Sequence, residues 1–219
     1  MNTARHDRYS LLLLISLIVF LMLSAFVSEH HILGDAVLVL SMYVTLVAGT
    51  LELSQKKDWR LPGFIMAGIS MLMMLVHFVY PTQAILIANW FFLAAFLGFV
   101  SAALFSYLGL AGSVTSGRLY GLVSLYLLLA VFYYAIFNLL ETVHPHSFME
   151  TGVPASNEIS RHSLLYLSLV TLTTLGYGDI VPVTPPARMI AAFEATTGVL
   201  YIAITVARLV ANYQKADNQ

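Results

Sequence analysis

The stretch TLTTLGYGDIVP, residues 171–182, sets three threonines, two glycines and an aspartate beside a hydrophobic run. Its chemistry is that of oxygens. To take a monovalent cation out of its water shell, a protein must replace water with oxygen ligands, and backbone carbonyls supply them without charge. A row of carbonyls facing one way needs backbone conformations that L-residues avoid, and glycine reaches positive φ at little cost. Gly176 and Gly178 alternate with ordinary residues in that way, and the Thr174 hydroxyl can add one more oxygen layer.

The chain around this stretch is built for lipid. Of its 219 residues 59% are hydrophobic and 10% charged, against about 25% charged in a soluble domain. The net charge of −1 carries no information about partners, and the absence of cysteine excludes disulfide, zinc-thiolate and thiol chemistry. Nothing in the sequence points to nucleic acid.

Spanning a bilayer takes about 20 apolar residues. Runs of that order are Leu11–Val27, Ile32–Leu53, Pro62–Tyr80, Ala84–Leu110 and Leu119–Leu140. A sixth, Arg188–Ala211, is apolar or small except for Glu194 and Arg208. A retained first helix is preferred to a cleaved signal peptide, because the run is long for a signal core. The run Ser163–Leu175 is too short to cross. His162–Thr173 reads as a short helix that dips into the membrane and returns, because the sixth run must still pass inward. Backbone that is not helical at membrane depth must be buried in protein or line water, so residues 174–179 are expected to line an aqueous path. The short helix ends near Thr173, and its negative dipole end favours a cation there.

With six spans, Arg5, Arg8, Lys56, Lys57, Arg60, Arg118, Arg208 and Lys215 fall on one side, while Glu29, Glu141, Glu150, Glu158 and Asp179 fall on the other with Arg161 and Arg188. Basic residues mark the cytoplasmic face, which puts both termini there. Residues 141–160 read as a polar outer loop with Pro145, Gly152 and Pro154. The tail after Ala211 has eight residues, too few for a regulatory domain.

Thr174 to Gly178 followed by Asp179 resembles the selectivity-filter signature of potassium channels. SLVTLTT, residues 168–174, resembles the family's pore helix, and residues 184–210 resemble its inner helix, with Gly198 where many members have a hinge glycine. The resemblance covers residues 119–211; the first four helices resemble the family only in number and topology. It implies an all-α membrane protein of six transmembrane helices, with a re-entrant pore helix and filter loop between helices five and six. Residues 1–118 would be a charge-poor four-helix bundle and 119–219 the pore domain. It also implies a homotetramer in contact with membrane lipids. Potassium would be coordinated by the carbonyls of Thr174, Leu175, Gly176 and Tyr177 and by the Thr174 hydroxyl, with Gly178 completing the loop. Tyr177 and Asp179 would brace it, with Tyr166 and Thr173 in support. No cofactor is implied beyond the permeant ion.

Two departures stand out. Many members carry two aromatic residues, often Trp-Trp, where this chain has Tyr166 and Leu167. Leu167 cannot bond Tyr177, though by the resemblance Tyr166 would still reach Asp179. The Pro-Val-Pro bend of voltage-gated members is replaced by Thr205-Val206-Ala207.

Glu194 is an ionisable residue inside a span, a functional position by default. It is expected behind the pore helix, bonded to that helix's threonines as a buttress rather than conducting. Gly198 is either a hinge or a close packing point. Glu141 is expected to tie the outer end of the fifth helix to the pore segment. Between Gln83 and Gly117 no residue is charged, so helix four has no gating charges, each of which contributes about 2.3 kcal/mol per 100 mV. The sequence therefore reads as a potassium-selective channel subunit, not an enzyme and not gated by helix four. It is expected in a plasma membrane, for which small size and short loops suggest a prokaryotic cytoplasmic one. A potassium transporter or a non-conducting accessory subunit is the alternative.

Overall fold

Each apolar run becomes a helix because lipid offers no partner for backbone N–H and C=O groups, so a spanning segment must bond them within itself. A computed structural model describes residues 3–26, 32–53, 57–80, 82–108, 115–152 and 159–217. Val27, Glu29, Lys56, Leu110, Pro154 and Glu158 lie outside the described residues, as do the side chains of Arg5, Lys57, Arg60 and Lys215.

The long helices are α1 (Thr3–Phe26), α2 (Ile32–Leu53), α3 (Lys57–Val79), α4 (Gln83–Leu108), α5 (Ser116–Val143) and α7 (Pro185–Asp217). The short helix α6 (Arg161–Leu172) lies between α5 and α7 in sequence. Among the described residues, α1, α4, α5 and α7 are candidate membrane spans by length and composition, and the described stretches Leu40–Glu52 of α2 and Leu61–His77 of α3 are apolar as well. The protein is thus a mostly helical, multi-pass membrane protein.

Several boundaries differ from the sequence expectation. Helix α3 starts five residues before Pro62, whose missing N–H removes one backbone bond from the second turn. Helix α7 opens on Pro185 and Pro186, where the fixed φ of proline suits the first turn. It then continues past Ala211 to Asp217, so most of the expected tail is helix.

The expectation of an all-α chain needs a correction. Strands β1 (Phe148–Glu150) and β2 (Ile180–Pro182) pair antiparallel, with Phe148 opposite Pro182, Met149 opposite Val181 and Glu150 opposite Ile180. The branched side chains of Ile180 and Val181 suit a pleated backbone. The outer loop is therefore partly ordered by a partner beyond α6.

Helix α5 is the hub. Helices α1 and α4 pack on it from the N-terminal bundle, α2 and α3 close that bundle, and α6 and α7 pack on it from the other half. Leu13 and Leu17 of α1, Leu97 and Leu104 of α4, and Leu125, Leu128 and Phe137 of α5 are all buried. Between α4 and α5, Trp90 and Tyr134 meet edge to face with ring centroids 5.6 Å apart. In lipid such packing is dispersion and geometry rather than escape from water, which makes close fit the stabilising term.

Candidate functional site

The site is built by holding α6 at both ends. At its N-terminus Ser160 caps the helix, its hydroxyl accepting from Ser163 N–H. The Ser163 hydroxyl donates to Glu150 Oε2 at 2.9 Å, which fixes the start of α6 to strand β1. At its C-terminus each of the last carbonyls is used. Leu169 O accepts from Thr173 N–H and from the Thr173 hydroxyl, Thr171 O from Thr174 N–H, and Leu172 O from the Tyr126 hydroxyl of α5. Val170 O accepts from Leu175 N–H at 2.9 Å and Gly176 N–H at 3.3 Å. Helix ends leave such carbonyls orphaned, and here the following loop turns back to satisfy them.

That return fixes where the loop's own oxygens go. In a trans peptide the N–H of one residue points opposite to the C=O of the residue before it. The N–H groups of Thr174, Leu175 and Gly176 point at α6, so the carbonyls of Thr173, Thr174 and Leu175 point away from it. Beyond them the backbone alternates. Thr174, Gly176 and Gly178 have φ of 58°, 56° and 78°, while Leu175 and Tyr177 between them do not adopt positive φ. The sequence suggested the two glycines. It gave no sign of Thr174, whose branched Cβ makes positive φ a genuine outlier. Strain of this kind costs about 1–3 kcal/mol and clusters at functional sites. Residues 173–179 are all exposed, and none of the carbonyls from 174 to 178 accepts a hydrogen bond among the described residues.

The loop is closed by Asp179. Its Oδ2 accepts from the Tyr166 hydroxyl at 2.8 Å, its Oδ1 from Ile180 N–H, and its carbonyl from Thr151 N–H. The hydrogen bond to Asp179 pushes the Tyr166 hydroxyl up to about 12, so it remains a donor. Leu167, by contrast, is buried. Tyr177 differs from the expectation. Its side chain is 68% exposed and makes no hydrogen bond among the described residues, so within one chain it braces nothing.

Glu194 lies fully buried behind α6, but its partner needs correcting. It is not a threonine: Glu194 Oε1 accepts from Ser168, whose hydroxyl also lies 2.7 Å from Ala130 O of α5. Ser168 lies on the buried face of α6, whereas Thr173 lies on the exposed loop side. Glu194 Oε2 makes no hydrogen bond among the described residues. One turn on, Gly198 meets the end of α6 so closely that an added Cβ would sit 2.0 Å from Leu172 O. This is a packing reason for glycine, and α7 runs through it without a break.

Glu141 serves the site indirectly. Its carboxylate accepts from the N–H groups of His146 and Ser147 at 2.7 and 2.9 Å, and Ser147 O accepts from Val183 N–H. The outer end of α5 is thereby tied to the chain after the loop. Glu150, Ser163 and Thr151 were not legible as site residues, because their roles depend on the pairing of β1 with β2.

With this geometry in view, the comparisons agree. Residues 121–215 match a family model described as ion channel. The potassium voltage-gated channel protein shk-1 of Caenorhabditis elegans is 40% identical over 67 residues, 31% of this chain and 12% of its own length. The potassium voltage-gated channel protein Shal of Drosophila melanogaster is 35% identical over 72 residues, 33% of this chain and 13% of its own. The A-type voltage-gated potassium channel KCND3 of Rattus norvegicus is 36% identical over 72 residues, 33% and 11%. The matched segment thus spans about an eighth of these relatives. No solved structure matches the chain. Over this segment, less than half of the chain, it is similar to ion channels and to these voltage-gated potassium channels.

Proposed function

We propose that the protein is one quarter of a tetrameric, potassium-selective pore. The observation that carries this reading is the alternation of positive φ at Thr174, Gly176 and Gly178 beyond a short helix whose last carbonyls hold the loop's N–H groups. One chain offers a single column of oxygens, and a dehydrated cation needs a ring. Four copies around an axis would supply it, with the Thr174 hydroxyl as the innermost layer. The exposure of Leu175 and Tyr177 in a single chain fits surfaces that neighbouring copies would cover.

In this reading α1–α5 and α7 cross the membrane, α6 and the loop re-enter it from outside, and both termini are cytoplasmic. Residues 1–118 form a peripheral bundle and 119–219 the pore domain. Asp179 and Tyr166 brace the mouth, Thr173 caps the pore helix and Glu194 buttresses it from behind. Helix α4 has no Asp, Glu, Lys or Arg, so the membrane field has no charge to pull on there.

The test is current through the purified protein in planar bilayers under a potassium gradient opposed by sodium, swept over roughly ±100 mV. A reversal potential near the potassium value, with open probability flat in voltage, is expected. Equal permeation of sodium would overturn the filter assignment, and steep voltage dependence would overturn the reading of α4.

A further inference from the structure

The last carbonyl of α6 is held differently from those before it. Leu169, Val170 and Thr171 give their carbonyls to N–H groups of residues 173–176. Leu172 O instead accepts from outside the loop, from the Tyr126 hydroxyl of α5 at 3.2 Å. The same oxygen meets α7 so closely at Gly198 that a Cβ there would collide with it. A donor on α5 and a contact on α7 together fix where the end of α6 stands.

Tyr126 is itself placed from α7. Its ring centre lies 5.5 Å from that of Tyr201, with 34° between the ring planes. The Tyr201 hydroxyl donates to Leu122 O of α5 at 2.5 Å. Leu122 is four residues before Tyr126, so that carbonyl opens the helical turn on which Tyr126 ends. Tyr201 is buried and Tyr126 half-buried. A separation of 3.2 Å is long beside the usual O–H···O distance of about 2.7–2.8 Å. Such a bond contributes little to holding the fold together, and a small displacement is enough to lose it.

We infer that Tyr126 is a positioning residue for ion selection, setting through Leu172 O the depth at which the loop's inner oxygens stand. The inference rests on the reading of this loop as one quarter of a potassium pore. The carbonyls of Thr174 and Leu175 are aimed by N–H groups that return to α6, so they travel with its end. In a ring of four copies, an outward shift of each end widens the ring by twice that shift. Selection between cations depends on cavity size or on the carbonyl dipoles that the ion meets, and both change when four ends move. Tyr166 holds the outer end through Asp179. The oxygen column is thus strung between two tyrosine hydroxyls, of which Tyr126 governs the inner half.

Reversal potentials of the full-length protein in planar bilayers, with potassium on one side and sodium on the other, test this. Wild type decides the pore reading first: no preference for potassium would overturn that reading and this inference together. Tyr126→Phe keeps the ring against Tyr201 and removes only the hydroxyl. Sodium permeability relative to potassium should rise about three- to tenfold, the size of one neutral hydrogen bond, with the melting temperature of the protein little changed. Tyr133→Phe is the control. Its hydroxyl lies 2.9 Å from that of Thr197 on α7 and bonds nothing on α6 among the described residues, so wild-type ratios are expected. A selective wild type with unchanged ratios in Tyr126→Phe would overturn the inference and leave the pore reading standing. So would an equal rise in Tyr133→Phe, which would mean general loosening between α5 and α7. A lowered melting temperature with unchanged ratios would likewise overturn it, since Tyr126 would then be structural alone.

Discussion

The Tyr166 hydroxyl donates to Asp179 Oδ2 across 2.8 Å, joining the middle of α6 to the residue that ends the loop. With leucine at 167, this hydrogen bond is the one by which an α6 side chain holds the far end of the loop. Tyr166→Phe should shorten conducting periods severalfold in single-channel records. Asp179→Asn should do the same, and the double variant should be no worse than either. Independent, additive effects would show that the two residues do not act as a pair.

The pH dependence follows from the same bond. A tyrosine raised from 10 to about 12 contributes stability that is fully present below pH 10 and is lost as pH rises through 12. Conduction should therefore show no titration from this tyrosine between pH 6 and about 9. The difference between wild type and Tyr166→Phe should vanish only in strong alkali. A midpoint near neutrality that Tyr166→Phe removes would contradict this.

Glu194 and Ser168 should separate by substitution. Glu194→Gln keeps a group of the same shape that can accept from Ser168, and thermal stability should change little. Glu194→Ala leaves Ser168 facing a cavity and should lower stability by about 2–3 kcal/mol per subunit. Equal effects of the two would mean that the carboxyl charge, not the contact, matters.

Gly198 tests packing against bending. Gly198→Ala drives a methyl into Leu172 O, and overpacking of this kind costs about 1–3 kcal/mol. Reduced tetramer yield and displaced α6, seen as lost potassium selectivity, are expected. A stable tetramer with normal selectivity and altered open probability would favour the hinge instead.

Thr174 carries both a hydroxyl and an awkward backbone. Thr174→Val keeps the branch and removes the hydroxyl, and should lower unitary conductance severalfold. Thr174→Ser keeps the hydroxyl, relieves the branched Cβ at positive φ, and should conduct like wild type. Wild-type conductance in Thr174→Val would place the hydroxyl outside the ion path.

Much of this could be read from residue order. Helices were legible because lipid forces every long apolar run into the same solution, and the loop because Gly176 and Gly178 alternate. Thr174 was hidden, since its φ is imposed by three N–H groups returning to α6 rather than by its own preference. Ser168 was passed over for neighbouring threonines because helical facing is set by how α5 and α7 pack. The strand pair was missed because each strand has three residues and its partner lies beyond α6.

The pairing of Glu150 with Ile180 turns everything between them into a noose with a knotted neck. Two ends held together cannot fray separately, and the entropy of closing so long a loop has already been met once the neck forms. Helix α6 and the loop after it therefore open as one cooperative unit or stay shut as one. Slow amide exchange should be shared across residues 161–180, with Glu150, Ser163 and Asp179 setting its rate.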